Sequence, residues 1–137
     1  MPQRRLVFPG RYRSVKDVCD FVTRAAMEAG LGDHEIFHCQ LAVDEACTNI
    51  IEHAYGGEGR GSIEATVEIR AGELTIALFD RGMSFDPTAV PEPGLYDSID
   101  DAAIGGQGWY FIRKVMDAVH FNCEPGGNTL VMTKRKE

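Results

Sequence analysis

No apolar run in this sequence approaches the roughly 20 residues that a membrane-crossing helix needs. The opening "MPQRRLVFPG" has two arginines but no apolar stretch of signal-peptide length behind them. The expectation is a cytoplasmic location with no membrane partner. Cysteine is sparse and badly spaced for metal or redox work. Cys19, Cys39, Cys47 and Cys123 form no C-x-x-C pair and no metal-ligand pattern, so free and mostly buried thiols in a reducing compartment are expected. Basic residues are outnumbered, 14 Lys and Arg against 21 Asp and Glu, for a formal net charge of −7. That balance disfavours contact with a phosphate backbone, and no direct nucleic-acid role is expected. No G-K-[ST] follows the glycines of "GGEGRGS", which excludes a P-loop there and leaves a helix end with a flexible turn. There is no internal repeat.

What is present is an ordinary globular composition, 44% hydrophobic and 26% charged over 137 residues. This is enough for one domain, residues 1–137, with a single core that needs no covalent staple. "RRLVFPG" reads as a short strand closed by Pro9 and Gly10. Ser14 is a candidate cap for a helix to about residue 29, with Val15, Val18, Val22 and Ala25 at helical spacing and Gly30 as the stop. Asp33 is a candidate cap for a second helix ending just after Tyr55. "SIEATVEIRAGELTIALFD" alternates in two runs about an Ala71-Gly72 turn, an antiparallel hairpin. The apolar period is then lost from 81 to 104, a loop of about twenty residues and long for a compact domain. "GGQGWYFIRKVMD" has a helical face of Trp109, Ile112, Val115 and Met116. "AVHFN", "CEPGGN" and "TLVMTK" form a second hairpin, and "KRKE" reads as a solvated tail. The predicted fold is α+β, a two-layer sandwich with helices on one face of a mainly antiparallel, mixed sheet.

Three features carry chemistry. At about 100° per residue, Glu45, Asn49, Glu52 and His53 fall within one arc of the second helix, while Ile36, Val43, Cys47, Ile50 and Ala54 gather on the other side. Solvated faces usually use Lys, Glu, Arg and Gln. Here a poor helix former, Asn49, lies four residues after Glu45 with no lysine near. Second, "DRGMSFD" at 80–86 puts Asp80 at a strand end, able to accept from an exocyclic amine, and Gly82 where a flat ring can approach. Third, "GGQG" at 105–108 opens a helix, where glycines and unpaired amides suit phosphates. A solvated face, a turn and a hinge are the plain alternatives for each feature alone. Together the features suit a nucleotide site covered by the long loop as a lid.

"EACTNIIEHAY", "DRGMSFD" and "GGQG" with "MD", in that order, resemble the GHKL or Bergerat-fold ATPases. Among these they are most similar to the small serine kinases that act as bacterial anti-sigma factors, and the likeness runs through "GGNTLVMTK". The resemblance implies ATP and Mg²⁺ as cofactors, with Asn49 holding the metal and Glu45 as the general base toward a serine hydroxyl. It implies nucleotide contacts from Asp80, Gly82, Gly105, Gly106, Gly108 and Thr129, with His53 lining the same site. The implied reaction is phosphoryl transfer to a serine of an anti-anti-sigma partner of the STAS type. The implied second partner is a sigma factor, and the implied state is a homodimer. The loop from 83 to 104 carries Glu92, Asp97, Asp100 and Asp101 but no Lys or Arg, and Ser84 stands where some relatives have a further glycine. The alternative is therefore a nucleotide-binding partner-switch regulator with little or no kinase activity. Two other readings have less support. A detached histidine-kinase catalytic domain is disfavoured because Glu45 stands where that branch usually has Asn. A zinc protein built on His34, His38, Cys39 and His53 lacks a recognisable ligand pattern.

Overall fold

In the computed structural model, which describes residues 2–83 and 107–137, the apolar periods become two layers. Strand β1 (Gln3–Pro9) is followed by helices α1 (Tyr12–Glu28) and α2 (Asp33–Asn49), the latter continuing as a π-helical turn over Ile50–Ala54. The hairpin β2 (Ser62–Arg70) and β3 (Glu73–Asp80) comes next. Helix α3 (Gln107–Val115) and the hairpin β4 (Ala118–Glu124) and β5 (Gly127–Arg135) complete the chain. The five strands lie in the order β1-β2-β3-β5-β4, and every pairing among them is antiparallel. The element order matches the expectation, and so does the placement of the helices on one face.

The strict alternation of β2 and β3 explains the layer. Ile63, Ala65, Val67, Leu74, Ile76 and Leu78 all point inward with no exposure, and Leu130 and Met132 of β5 join them. Val18 and Val22 of α1, Val43 and Ile51 of the second helix, and Ile112 of α3 close the core from above. Each such side chain contributes roughly 1.5–3 kcal/mol by leaving water. The β2–β3 bend turns on Gly72 at φ +77°, a left-handed value that disfavours a side chain. Its amide donates to Ala29 O at 2.7 Å and its carbonyl accepts from Lys136 N at 2.8 Å. Pro2 O accepts from Ile69 N at 2.9 Å, so both ends of the chain meet this bend.

The helix starts differ from the predicted ones. Ser14 is not the cap of α1: the helix begins at Tyr12, and Ser14 is buried inside its first turn. The orphan amide of Tyr12 is taken by a distant carboxylate instead, Glu58 Oε1 at 2.7 Å, from the glycine-rich connector. Asp33 is the first residue of α2, not its cap. Gly32 holds that position, and the Glu35 carboxylate reaches back to Gly32 N at 3.0 Å. Nor is the last segment all solvated tail. Lys134 is only 4% exposed, and its ammonium donates to Val115 O at 2.6 Å, meeting the negative end of α3.

Candidate functional site

The cleft forms where the carboxyl end of α2 passes the ends of β3 and β5 under α3. Ala46, Asn49, Ile50, Leu78, Asp80, Trp109, Ile112, Phe121 and Leu130 line it. Asn49 and Asp80, named from two separate stretches of sequence, thus share one site. Glu45 lies one helical turn before Asn49, half-buried. Burial raises its carboxyl above the ordinary range, and the neighbouring charges of Asp44 and Glu52 add to this.

The remainder of the predicted polar arc divides. Glu52 is exposed and accepts from Tyr12 OH at 2.9 Å, so it serves the α1–α2 contact and not the cleft. His53 is exposed on the π-helical turn and does not line the cleft. Single π-turns often mark functional positions, and this one begins directly after Asn49.

Asp80 is 2% exposed and needs its hydrogen bonds. Its Oδ1 accepts from Gly82 N and from Asn128 Nδ2, both at 2.9 Å. Burial nonetheless pushes its carboxyl above the ordinary range, with the two bonds opposing. Asn128 is the residue that the sequence reading passed over. It also donates to Met83 O at 3.1 Å, and its own Oδ1 accepts from Cys123 Sγ at 2.9 Å. Thr129, named in its place, is turned away. Asn128 is the cross-strand partner of Asp80, and Thr129 is that of Phe79. The alternation of β5 therefore sends Thr129 to the outer face. An asparagine opposite the strand-end aspartate was the available signal.

Gly82 is required for a reason beyond a ligand ring. A Cβ there would stand 2.5 Å from Ala54 O and 2.8 Å from Ala54 Cβ. Its absence lets the strand end dock on the π-helical turn, where Met83 N donates to Ala54 O at 2.7 Å. Tyr55 braces the same junction, donating to Ser62 O at 2.6 Å and accepting from Arg81 N at 2.9 Å. Gly108 sits in the first turn of α3, beside the cleft residue Trp109. Gly105, Gly106, Ser84 and the predicted lid over 81–104, from 84 onward, lie outside the described residues. Trp109 is 6% exposed, and its indole N–H is buried with no hydrogen-bond partner among the described residues. No group among them takes up the Asn49 carboxamide either. A lined cleft with an unengaged amide, an unengaged indole N–H and a buried carboxylate is arranged to receive a polar ligand.

Residues 8–134 match the model of the histidine kinase-like ATPase domain. The chain belongs to this family. The histidine kinase-like ATPase domain seen here is 38% identical over 113 residues to the serine-protein kinase RsbW of Listeria monocytogenes, covering 80% of this chain and 71% of the relative. It is 34% identical over 97 residues to the serine/threonine-protein kinase BtrW of Bordetella bronchiseptica (71% and 68% covered). It is 34% identical over 102 residues to the anti-sigma F factor of Clostridium beijerinckii (74% and 71%). The fold is similar to part of a solved chain holding the RsbU and RsbW domains of Rv1364c from Mycobacterium tuberculosis, at a TM-score of 0.69 and 17% identity. The likeness covers 98% of this chain, which spans 32% of that longer one.

Proposed function

We propose that this ATPase domain is a serine-protein kinase that also acts as an anti-sigma factor in a partner-switching system. It transfers a phosphoryl group from ATP to a serine of a STAS-type anti-anti-sigma protein, and alternately holds a sigma factor, in the cytoplasm and as a homodimer. The observation that carries the reading is the meeting of Asn49 and Asp80 in one cleft, with Glu45 one turn away on the same helix. The relatives, named serine kinases and an anti-sigma factor, support the same assignment.

The chain's own groups divide the work. Asp80, fixed by Asn128 and Gly82, presents its second carboxylate oxygen to the exocyclic amine of adenine. The amide carbonyl of Asn49 would hold a hard cation, and Mg²⁺ there would supply neutralisation of phosphate charge. The amides of the first turn of α3 would suit the phosphates. Glu45 accepts the proton of the attacking serine hydroxyl, and its raised carboxyl makes it a stronger base than a solvated glutamate once ionised.

The test is direct. Trp109 is the single tryptophan, so cleft occupancy is read from its emission as well as by calorimetry. ATP is expected to bind in Mg²⁺ and much more weakly in EDTA, with Asn49→Ala abolishing the difference. Mass spectrometry of a STAS partner incubated with Mg-ATP should show one phosphoserine. Binding without phosphorylation would replace the kinase by a nucleotide-responsive regulator, and absence of binding would remove both.

A further inference from the structure

The first turns of α2 carry a second cluster of polar side chains, on the order of 20 Å along the helix from Asn49 at 1.5 Å per residue. His34 and His38 lie one turn apart with ring centroids separated by 4.2 Å. Glu137, beyond the end of β5, joins them: its Oε1 is 3.3 Å from His34 Nδ1, and one ligand atom from each of the three residues lies within 4.8 Å of the others. In a tetrahedral site with metal–nitrogen bonds of about 2.0–2.1 Å, neighbouring ligand atoms stand ~3.3 Å apart. His34 Nδ1 and Glu137 Oε1 already stand at that separation, and the His38 ligand atom lies within 4.8 Å of both.

An exposed His34–Glu137 ion pair would account for two of the three residues. It does not account for His38, whose Nδ1 is buried and has no hydrogen-bond partner among the described residues. Burial holds His38 below the ordinary imidazole range, with the charges of Lys134 and His34 acting in the same direction. The opposing cation nearby, Lys134, is already engaged by Val115 O.

The stretch His34-Glu35-Ile36-Phe37-His38 has the H-E-x-x-H spacing of zinc-binding helices, a pattern that the set His34, His38, Cys39 and His53 had obscured in the sequence. In a hydrolase the intervening glutamate is a base. Here the Glu35 carboxylate accepts from Gly32 N, and the backbone N–H groups of Gly32 and Glu137 hold it below the ordinary carboxylate range. Glu35 thus positions the Glu137 residue beside the two imidazoles and is not free for hydrolysis.

We propose that His34, His38 and Glu137 bind a divalent transition-metal ion of the Zn²⁺ class, which clips the end of β5 to the start of α2. Two imidazoles and one carboxylate select Zn²⁺, Co²⁺ or Ni²⁺ over Mg²⁺ and Ca²⁺, and the fourth position is open to water. The role is structural or regulatory, and it stands apart from the nucleotide cleft.

Calorimetric titration of the full chain with ZnCl₂, in excess Mg²⁺, is expected to show one equivalent bound in the micromolar range. His34→Ala and His38→Ala should each weaken it at least tenfold, and Glu137→Gln by less. The thermal midpoint should rise with Zn²⁺ in the parent and stay fixed in the double histidine variant. Alanine is the best helix former at both positions, the exposed His34 and the half-buried His38, and circular dichroism checks the fold. Co²⁺ substitution should give visible bands without thiolate charge transfer. Absence of binding, unchanged affinity in the double variant, or a thiolate band assigning the ion to the cysteines would each overturn the site.

Discussion

At the scale of single residues, the sharpest statements concern groups whose environment conflicts with their charge. Glu45 has its carboxyl raised in the folded chain, so its protonated form is favoured there. The associated stability is present below the unfolded value of a glutamate and is lost as pH rises through the folded value. Ionised Glu45 is a cost at neutral pH. Glu45→Gln should therefore raise stability at pH 7 by less than about 1 kcal/mol, because the group is half exposed, and be read as a higher melting temperature. The gain should vanish toward pH 4, while ATP binding is retained and phosphoryl transfer is lost. Gly82→Ala should act oppositely, lowering stability by ~1–3 kcal/mol through overpacking on Ala54, read as a lower urea midpoint, and weakening nucleotide binding with it. Asn49 and Asp80 were legible in the sequence because asparagine is odd on a helix and aspartate is odd at the inner end of a strand. Asn128 was not. Choosing between Asn128 and Thr129 requires the register of β5 against β3, which composition does not reveal.

Among the elements, the polar chain Cys123–Asn128–Asp80–Gly82 joins β4, β5 and β3 to the segment after β3. Asn128→Ala should leave the Asp80 carboxylate with one fewer donor in a buried place, at a cost of ~1–3 kcal/mol. Because burial already raises the Asp80 carboxyl and Asn128 opposes this, the loss should be larger at pH 7 than near pH 4, where protonation relieves it. Denaturant melts at the two pH values check the sign. Strands and helices were readable from their periods, since alternation over β2 and β3 has no helical equivalent. The cap of α1 was misread because it comes from Glu58, 46 residues away, and that of α2 because its local capping-box carboxylate, Glu35, pairs with Gly32 and not with a polar cap residue. Local sequence rules favour Ser and Asp at those positions and do not register a carboxylate arriving through tertiary structure. The π-helical turn was also invisible, as nothing in "IIEHA" departs from an α-helical pattern.

For the whole molecule, the sheet order predicts a gradient of protection. β3 is paired on both sides, by β2 and β5, whereas β1 and β4 are edges among the described strands. Hydrogen exchange should be slowest in β2, β3 and β5, and faster in β1 and β4. Comparable rates in β1 and β3 would show that the edge is covered, as a dimer through that strand would cover it. The order of elements was legible as a whole because the hairpins are local. The neighbouring of β3 and β5 across the intervening helix was not, since it depends on which edge the second hairpin joins. Both ends of the chain meet at the Gly72 bend, through Pro2 on one side and Lys136 on the other. Asp80 and Asn128 lie at the opposite end of their strands. A tether or reporter fused at either terminus would thus emerge on the far side from the nucleotide, and a short linker joining the two termini should permit circularly permuted variants with the cleft undisturbed.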